Sequence, residues 1–486
     1  METAGQLSRR LETIKLRFFQ HNKSKYFWRK VDNISHRKQS NKTISYEAFD
    51  PHQLNINLAE RSASQPHSIP HKAPLFNISG HQPPQLTVIE VAKVMRKVKR
   101  TSPGPSDIPF FVFSEFWDLL APHYLHVWNQ SLENRIFPAI YKHADLIPLP
   151  KINNAHNSED IRGISVTSIS ARLFEKCVHK KWIQPSIESI GDTYQFAYKS
   201  KLSTLDCLLT LQHYILSLLD QKSIDGVHLV LLDFSKAFDK LNQELAATTF
   251  FKFIKSPFIC QWLYDFIINR HQRLLWKKKP CPYIPIDLGC SQGTVGGPSI
   301  FSMYTDDLRA HNPSSTAFKY SDDTSILVPC QSAPSRQDQN TLQNEISHFE
   351  NNANDKQMSI NQTKTKIMRF SLTGNTHCPC KYDGTYETVT SSKILGIHFD
   401  SNCRFHTHGK RLIANLKRTL YIIRDLKLNN LSPQEIDSVF HALIISRIRY
   451  GLAVYGSDRT VIEKLNHFLD RCHDKSFLIK NSSDRT

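Results

Sequence analysis

The stretch His228-Leu-Val-Leu-Leu-Asp233-Phe-Ser-Lys-Ala-Phe238-Asp239 decides the architecture. From Val227 it is almost uninterruptedly apolar until it ends on an acid, which is the pattern of a central strand covered on both faces. A carboxylate delivered there, just before a helical pattern that continues through Phe251, stands at a cleft mouth. Left unpaired it would be costly, and a bound cation relieves it. Far downstream, Phe318-Lys-Tyr320-Ser321-Asp322-Asp323-Thr-Ser-Ile-Leu327 sets two aspartates in a turn between two apolar-leaning strands. Adjacent carboxylates repel, so a divalent metal is their natural compensation. Taken alone, such an acidic turn is more often merely solvated. Asp306-Asp307 look alike but follow Phe301-Ser-Met-Tyr304 in a helix-like pattern, and read as surface residues.

Around these two centres lies a chain of 486 residues, long enough for about three lobes at ~150 residues each. Hydrophobic residues at 40% and charged residues at 22% exclude wholesale disorder, and Gly 16 with Pro 24 exclude a collagen-like or low-complexity chain. The excess of 62 Lys and Arg over 44 Asp and Glu gives a net charge of +18, which favours an anionic partner, nucleic acid above all. The N-terminus lacks the apolar core of a secretory signal and no run is long enough to span a membrane, so an intracellular protein is expected, nucleus and cytoplasm not being distinguished. The ten cysteines form no disulfide framework. His377, Cys378 and Cys380 with Cys403, His406 and His408 are zinc-ligand types, but the spacing fits ordinary packing and surface residues better.

Local signals then order the chain. A helix with aromatic anchors is expected from about Leu7 to Val31, and the prolines between Asp50 and Gln85 predict an irregular spacer. Thr87-Val-Ile-Glu90 is a capping box opening a helix whose apolar face runs Val88, Val91, Val94, Met95, Val98. Ala144 to Leu149 reads as a strand. Ser432-Pro-Gln-Glu435 is a second capping box, and the residues beyond about 400 read as helical.

Nine blocks in a fixed order carry a resemblance. They are Ser102-Pro-Gly-Pro-Ser-Asp-Ile-Pro109, Ala144-Asp-Leu-Ile-Pro-Leu-Pro-Lys151, Ile161-Arg-Gly-Ile-Ser165 with Leu173-Phe-Glu-Lys176, and Gln195-Phe-Ala-Tyr198. Then follow Leu232-Asp-Phe-Ser-Lys-Ala-Phe-Asp239, Gly289-Cys-Ser-Gln-Gly-Thr-Val-Gly-Gly-Pro298, Tyr320-Ser-Asp-Asp323, Asn361-Gln-Thr-Lys-Thr-Lys366 and Ile394-Leu-Gly396. On these residues the chain resembles the reverse transcriptase of non-LTR (LINE-type) retrotransposons, well over about 87 to 400 and more loosely beyond. The resemblance implies an α+β right-hand polymerase: a basic N-terminal extension and Pro-rich linker over 1–86, fingers over 87–225, a palm over 226–400 built on an antiparallel sheet with helices on one face, and a helical thumb over 401–486. Such proteins usually carry an endonuclease ahead of this region, so a fragment lacking it, or a degenerate copy, is expected.

The resemblance also implies roles. Asp233, Asp322 and Asp323, with the Phe234 carbonyl, correspond to the ligands of two Mg²⁺ ions, Mn²⁺ being the alternative, that drive transfer of dNTPs onto a primer 3′-hydroxyl along an RNA template. Phe238 corresponds to the aromatic gate that excludes a ribose 2′-hydroxyl; read without its neighbours it is as well explained as a core aromatic on a helix face. Gln292 and Gly293 correspond to the loop behind the incoming nucleotide and templating base. Lys151 and Arg162 correspond to cations gripping the triphosphate. Lys364 corresponds to the lysine near the departing pyrophosphate, a candidate general acid, with Lys366 its nearest rival. Outside the family pattern, each of these four cations would pass for a solvated surface residue. Four departures stand out: Ser321 for alanine, Ser291 for proline, Gly163 for proline, and Ser106-Asp107 for Asp-Gly. The serine and glycine changes are expected to loosen their loops. The alternative function is a catalytically inactive RNA-binding relic, and no membrane partner is expected.

Overall fold

A computed structural model of the chain describes residues 28, 31–32, 43–62, 77–291, 293–332, 338–371 and 382–474. The helix expected from Leu7 to Val31 therefore lies mostly outside the described residues, with Trp28, Val31 and Asp32 helical. The irregular spacer is corrected over part of its length. Asp50 Oδ2 accepts the Gln53 N–H at 2.9 Å and Pro51 takes the first helical position, so Pro51–Glu60 (α1) is a helix. Its Leu54 and Leu58 are buried with Leu146, Ile161, Leu274 and Trp276, and Asn55 accepts the Leu274 N–H at 2.8 Å. Apolar burial outweighs the proline punctuation here. The Thr87–Glu90 capping box opens Val88–Arg96 (α2) as expected.

Two main sheets follow. In the first, His143–Pro150 (β1) pairs antiparallel with Ile161–Val166 (β2), Pro150 opposite Ile161. Ile169–Val178 (α3) and Thr204–Leu219 (α4) come next. The strand read from the opening motif is Ile224–Leu232 (β3). A turn rather than a helix occupies the residues after Asp233: Asp239 and Lys240 both donate to the Lys236 carbonyl, and the helix Gln243–Phe253 (α5) starts only at an Asn242 cap. Arg270–Trp276 (β4) then returns to the first sheet, parallel to β1, with Lys279–Pro280 (β5) and Ile284–Ile286 (β6) on its other side. This sheet thus joins strands from either side of residue 225.

The second sheet carries the acids. Gly297–Tyr304 (α6) leads to Thr316–Tyr320 (β7) and Asp323–Gln331 (β8), and Thr341–Asp355 (α7) leads to Lys366–Phe370 (β9), with Glu387–Thr388 (β10) at the edge. The order is β10-β9-β3-β8-β7, all neighbours antiparallel except β10 with β9. Val230, Leu232, Ile326 and Val328 pack into one core with α5 and α6, and Val227, Leu229, Phe318 and Leu327 pack into a second with α4. The resemblance implies helices on one face only; α4 also covers part of the other, in line with the continuous apolar run of β3.

Ser391–Ile394 (β11) and Ile397–Asp400 (β12) form a separate hairpin whose two-residue turn, Leu395-Gly396, has both φ positive (43° and 96°). Beyond it lie His406–Leu428 (α8), Pro433–Phe440 (α9, opened by the Ser432–Glu435 capping box) and Arg459–Asp474 (α10). Among the described residues no helix is long and apolar enough to cross a membrane, and the cysteines are free thiols.

Candidate active site

Strand register brings two of the three acids together. The β3–β8 ladder ends at Leu232 opposite Thr324, so Asp233 and Asp323 are the next residues on the two chains, and both line one groove. Tyr320 pairs with Asp323 in the β7–β8 hairpin, leaving Ser321 (φ 64°) and Asp322 as its two-residue turn. Like charges gathered at one place disfavour ionisation. Burial first, then the Asp322 and Asp233 charges, push the Asp323 carboxyl up to about 6, although the residue keeps an exposed face. Asp233 and Asp323 line a groove of ≈ 520 Å³ bounded by the sheet, the β11–β12 hairpin and the Thr407–Arg411 end of α8.

Neighbouring segments hold these acids in place. The Asp233 carbonyl accepts from Asn361 N at 2.7 Å and Ser235 N donates to the Ser359 carbonyl at 2.8 Å, so Phe234 pairs with Ile360 between those bonds. In antiparallel pairing this turns the Phe234 carbonyl away from the 359–361 segment. Asn361 then folds its own segment back, its side chain accepting from Thr363 Oγ1 and Lys364 N. That turn carries Lys364 Nζ to 3.2 Å from Asp233 Oδ2. Lys366, the rival, instead pairs with Glu387 at 3.2 Å. On the hairpin side, buried Gln195 accepts the Ser321 N–H at 3.2 Å, and the Tyr198 phenol hydrogen-bonds the Ser321 hydroxyl.

A cationic cluster stands at the β1–β2 tip. Lys151 Nζ donates to the Glu159 carbonyl at 2.7 Å, Lys236 pairs with the Glu159 carboxylate at 3.2 Å, and Arg61 approaches it at 3.8 Å. Burial, then Arg61, with Arg162 and Lys236 adding to it against Glu159, lowers the Lys151 pKa. Three cations, Lys151, Lys236 and Arg61, thus gather at one carboxylate, with Arg162 acting on Lys151, an excess suited to a polyphosphate. Sequence reading missed three of these residues. Lys236 stood inside the quoted motif, three residues past Asp233; Arg61 and Glu159 carried no signal, because only folding brings α1 and the 158–160 turn together.

The remaining candidates sit as follows. Phe238 lies on the turn, its ring stacked on Phe301 at 4.5 Å and 22°. Gln292 lies outside the described residues. Gly293 (φ 111°) presses on β2 so closely that a Cβ there would stand 2.4 Å from the Ser165 carbonyl. The expected loosening does not hold at two serines: Ser321 is tied as described, and Ser291 Oγ accepts from Arg270 Nε at 3.1 Å. Asp107, where the family pattern has glycine, takes the left-handed conformation at φ 54°. Asp307 is exposed as read, pairing with Lys356, whereas Asp306 is half-buried and accepts the Asp192 N–H. His377, Cys378 and Cys380 lie outside the described residues, and His408 packs on Tyr455.

Hard divalent cations take carboxylate and carbonyl oxygens, and the mutually repelling Asp233, Asp322 and Asp323 are a donor set of that kind. Among the described residues no three such side chains already close around one point, and Lys364 occupies Asp233, so an ion held there would have to displace that lysine.

Comparison with known proteins adds an independent line. A family model described as reverse transcriptase (RNA-dependent DNA polymerase) matches residues 149–399, slightly more than half of the chain. A retrovirus-related Pol polyprotein from the type-1 retrotransposable element R1 of Bradysia coprophila is 23% identical over 382 residues, 77% of this chain and 37% of the relative. The probable RNA-directed DNA polymerase from transposon BS and the RNA-directed DNA polymerase from mobile element jockey, both of Drosophila melanogaster, are 24% and 22% identical over 68% of this chain. The chain spans 37% of the length of each of these relatives. Among solved structures, telomerase from Candida albicans in complex with a fragment of telomeric RNA is similar at a TM-score of 0.40 and 11% identity, over 76% of this chain and 63% of that one.

Proposed function

We propose a function from one premise: the chain belongs to the reverse transcriptase (RNA-dependent DNA polymerase) family. On that premise it is an RNA-directed DNA polymerase of non-LTR retrotransposon type, adding dNTPs to a DNA primer on an RNA template. Fingers over 87–225, palm over 226–400 and thumb over 401–486 describe its parts, with residues 270–286 joining the sheet of the fingers.

Asp233, Asp322 and Asp323, with the Phe234 carbonyl, would hold the metal ions. Two bound Mg²⁺ ions supply activation of the 3′-hydroxyl and neutralisation of charge on the leaving pyrophosphate. Lys364, its ammonium freed from Asp233 when an ion binds, would hand a proton to that pyrophosphate. Lys151 and Arg162, joined by Arg61 and Lys236, hold the triphosphate, Phe238 bars a 2′-hydroxyl, and Gln292 and Gly293 back the nucleotide. Positioning and electrostatics supply the rate, as in phosphoryl transfer generally. The template–primer duplex lies along the basic groove of ≈ 1070 Å³ that Lys393, Arg411, Arg418 and Arg447 line, held through phosphates and therefore salt-sensitive.

The observation carrying this reading is the mutual influence of the three acids, the Asp322 and Asp233 charges both raising the Asp323 pKa where β3 and β8 end together. The test is primer extension on RNA template with Mg²⁺ by wild type and Asp322→Asn, alongside RNA binding. Extension lost only in the variant, with its circular dichroism unchanged, supports the polymerase; RNA binding without synthesis by wild type supports the relic.

A further inference from the structure

Two buried charges lie outside the chemistry proposed above. Glu175 on α3 and Arg270 at the start of β4 are 3% and 1% exposed. An unpaired charge at that depth is strongly unfavourable, so each must be held by partners. Glu175 Oε2 accepts from Val295 N at 2.6 Å and from Gly296 N at 3.1 Å. Arg270 Nη1 donates to the Phe266 carbonyl at 2.9 Å, and its Nε donates to Ser291 Oγ at 3.1 Å. Burial raises the Glu175 pKa, while Arg270 and the two N–H groups pull it back.

These bonds bracket one loop. Ser291 is its first anchor and Val295-Gly296 its last, with Gly293 at the apex against Ser165. Within it, Thr294 Oγ1 donates to the Ser291 carbonyl at 2.9 Å and accepts from Gly297 N at 3.2 Å, which joins the loop to the start of α6. Proline, the residue of the family pattern at 291, has no side-chain acceptor for Arg270, so the Arg270 bond belongs to this chain's own serine.

We infer that Glu175 and Arg270 are a positioning pair that clamps the 291–296 loop from both ends and sets Gly293 where the incoming nucleotide is backed. The inference rests on the reading of Gln292 and Gly293 as nucleotide-facing. Neither charge touches substrate. Both act through the loop, so their loss weakens nucleotide binding and leaves the grip on the duplex alone.

The test uses the full chain with three substitutions. Glu175→Ala removes the acceptor, Glu175→Gln keeps an oxygen for the two N–H groups, and Ser291→Ala removes only the acceptor of Arg270. Amide hydrogen exchange over 291–297, the KM for dNTP and the Kd for primer–template are measured for each. Glu175→Ala and Ser291→Ala are expected to speed exchange in the loop and raise the dNTP KM by roughly tenfold, the worth of one buried hydrogen bond, with primer–template Kd unchanged. Glu175→Gln should restore most of both. Should Glu175→Ala fail to fold, Ser291→Ala and Glu175→Gln carry the test. Unchanged exchange in an active enzyme overturns the clamp; faster exchange with unchanged KM overturns its link to the nucleotide. A wild type that extends no primer ends the polymerase reading instead, while the exchange data still score the clamp.

Discussion

The ammonium of Lys364 stands 3.2 Å from a carboxylate oxygen of Asp233, 131 residues away in the chain. The pair is open to solvent, Lys364 being 66% and Asp233 36% exposed, so it contributes at most about 1 kcal/mol to stability. A pair so weak is readily exchanged for a metal ion. Such an exchange would free the ammonium for the proton transfer proposed above.

Lys364→Met should therefore lower the single-turnover rate of nucleotide addition by about 10²-fold, the usual range for loss of a general acid, without moving the thermal midpoint. Rapid-quench primer extension beside calorimetry checks this. A wild-type rate removes Lys364 from the mechanism.

Asp323 predicts a pH dependence. Its carboxyl titrates at about 6 in the folded chain against an ordinary 3.8. Between those values the folded state holds the proton more tightly, so stability in metal-free buffer falls as pH rises through about 4 to about 6. Asp323→Asn abolishes that ionisation and should melt higher than wild type by roughly 2–4 °C at pH 7, with no difference near pH 4. Added Mg²⁺ should narrow the gap at pH 7 by stabilising wild type alone.

Phe238→Ala should raise incorporation of ribonucleotides relative to deoxynucleotides by on the order of tenfold or more, since a steric wall is removed. The stack on Phe301 is lost with it, and stability should fall by about 2 kcal/mol, below the cost for a fully buried ring. An unchanged nucleotide ratio would leave Phe238 a packing residue only.

Gly293→Ala meets the Ser165 carbonyl 2.4 Å from its new Cβ, at a φ of 111° that other residues rarely adopt. The loop must move or strain. A loss of about 1–3 kcal/mol and a raised dNTP KM are expected, read by denaturant titration and steady-state kinetics.

Much of the architecture was legible because local physics is enough for it. The capping boxes at Thr87 and Ser432, the continuous run into Asp233 and the Tyr320–Asp323 turn each carry their reason within a few residues. Where nearby signals competed, the reading failed. Prolines argued for a spacer, yet Asp50 and Pro51 open a helix that buries Leu54 and Leu58. A helical pattern argued for continuity past Asp233, yet the segment turns at Lys236, in left-handed backbone at φ 53°.

What the amino-acid order determined by itself was therefore the capped helices at Thr87 and Ser432, the central strand leading into Asp233, the Tyr320–Asp323 turn and the ordered blocks of the family, since caps, periodicity and turn chemistry act over a few residues. Only the tertiary structure decided the pairing of Lys364 with Asp233, the gathering of Arg61 and Lys236 around Glu159, and the buried charges behind Gly293. Those contacts join residues remote in the chain, and a side chain's partner across such a distance is chosen by strand register and burial, which no local pattern encodes.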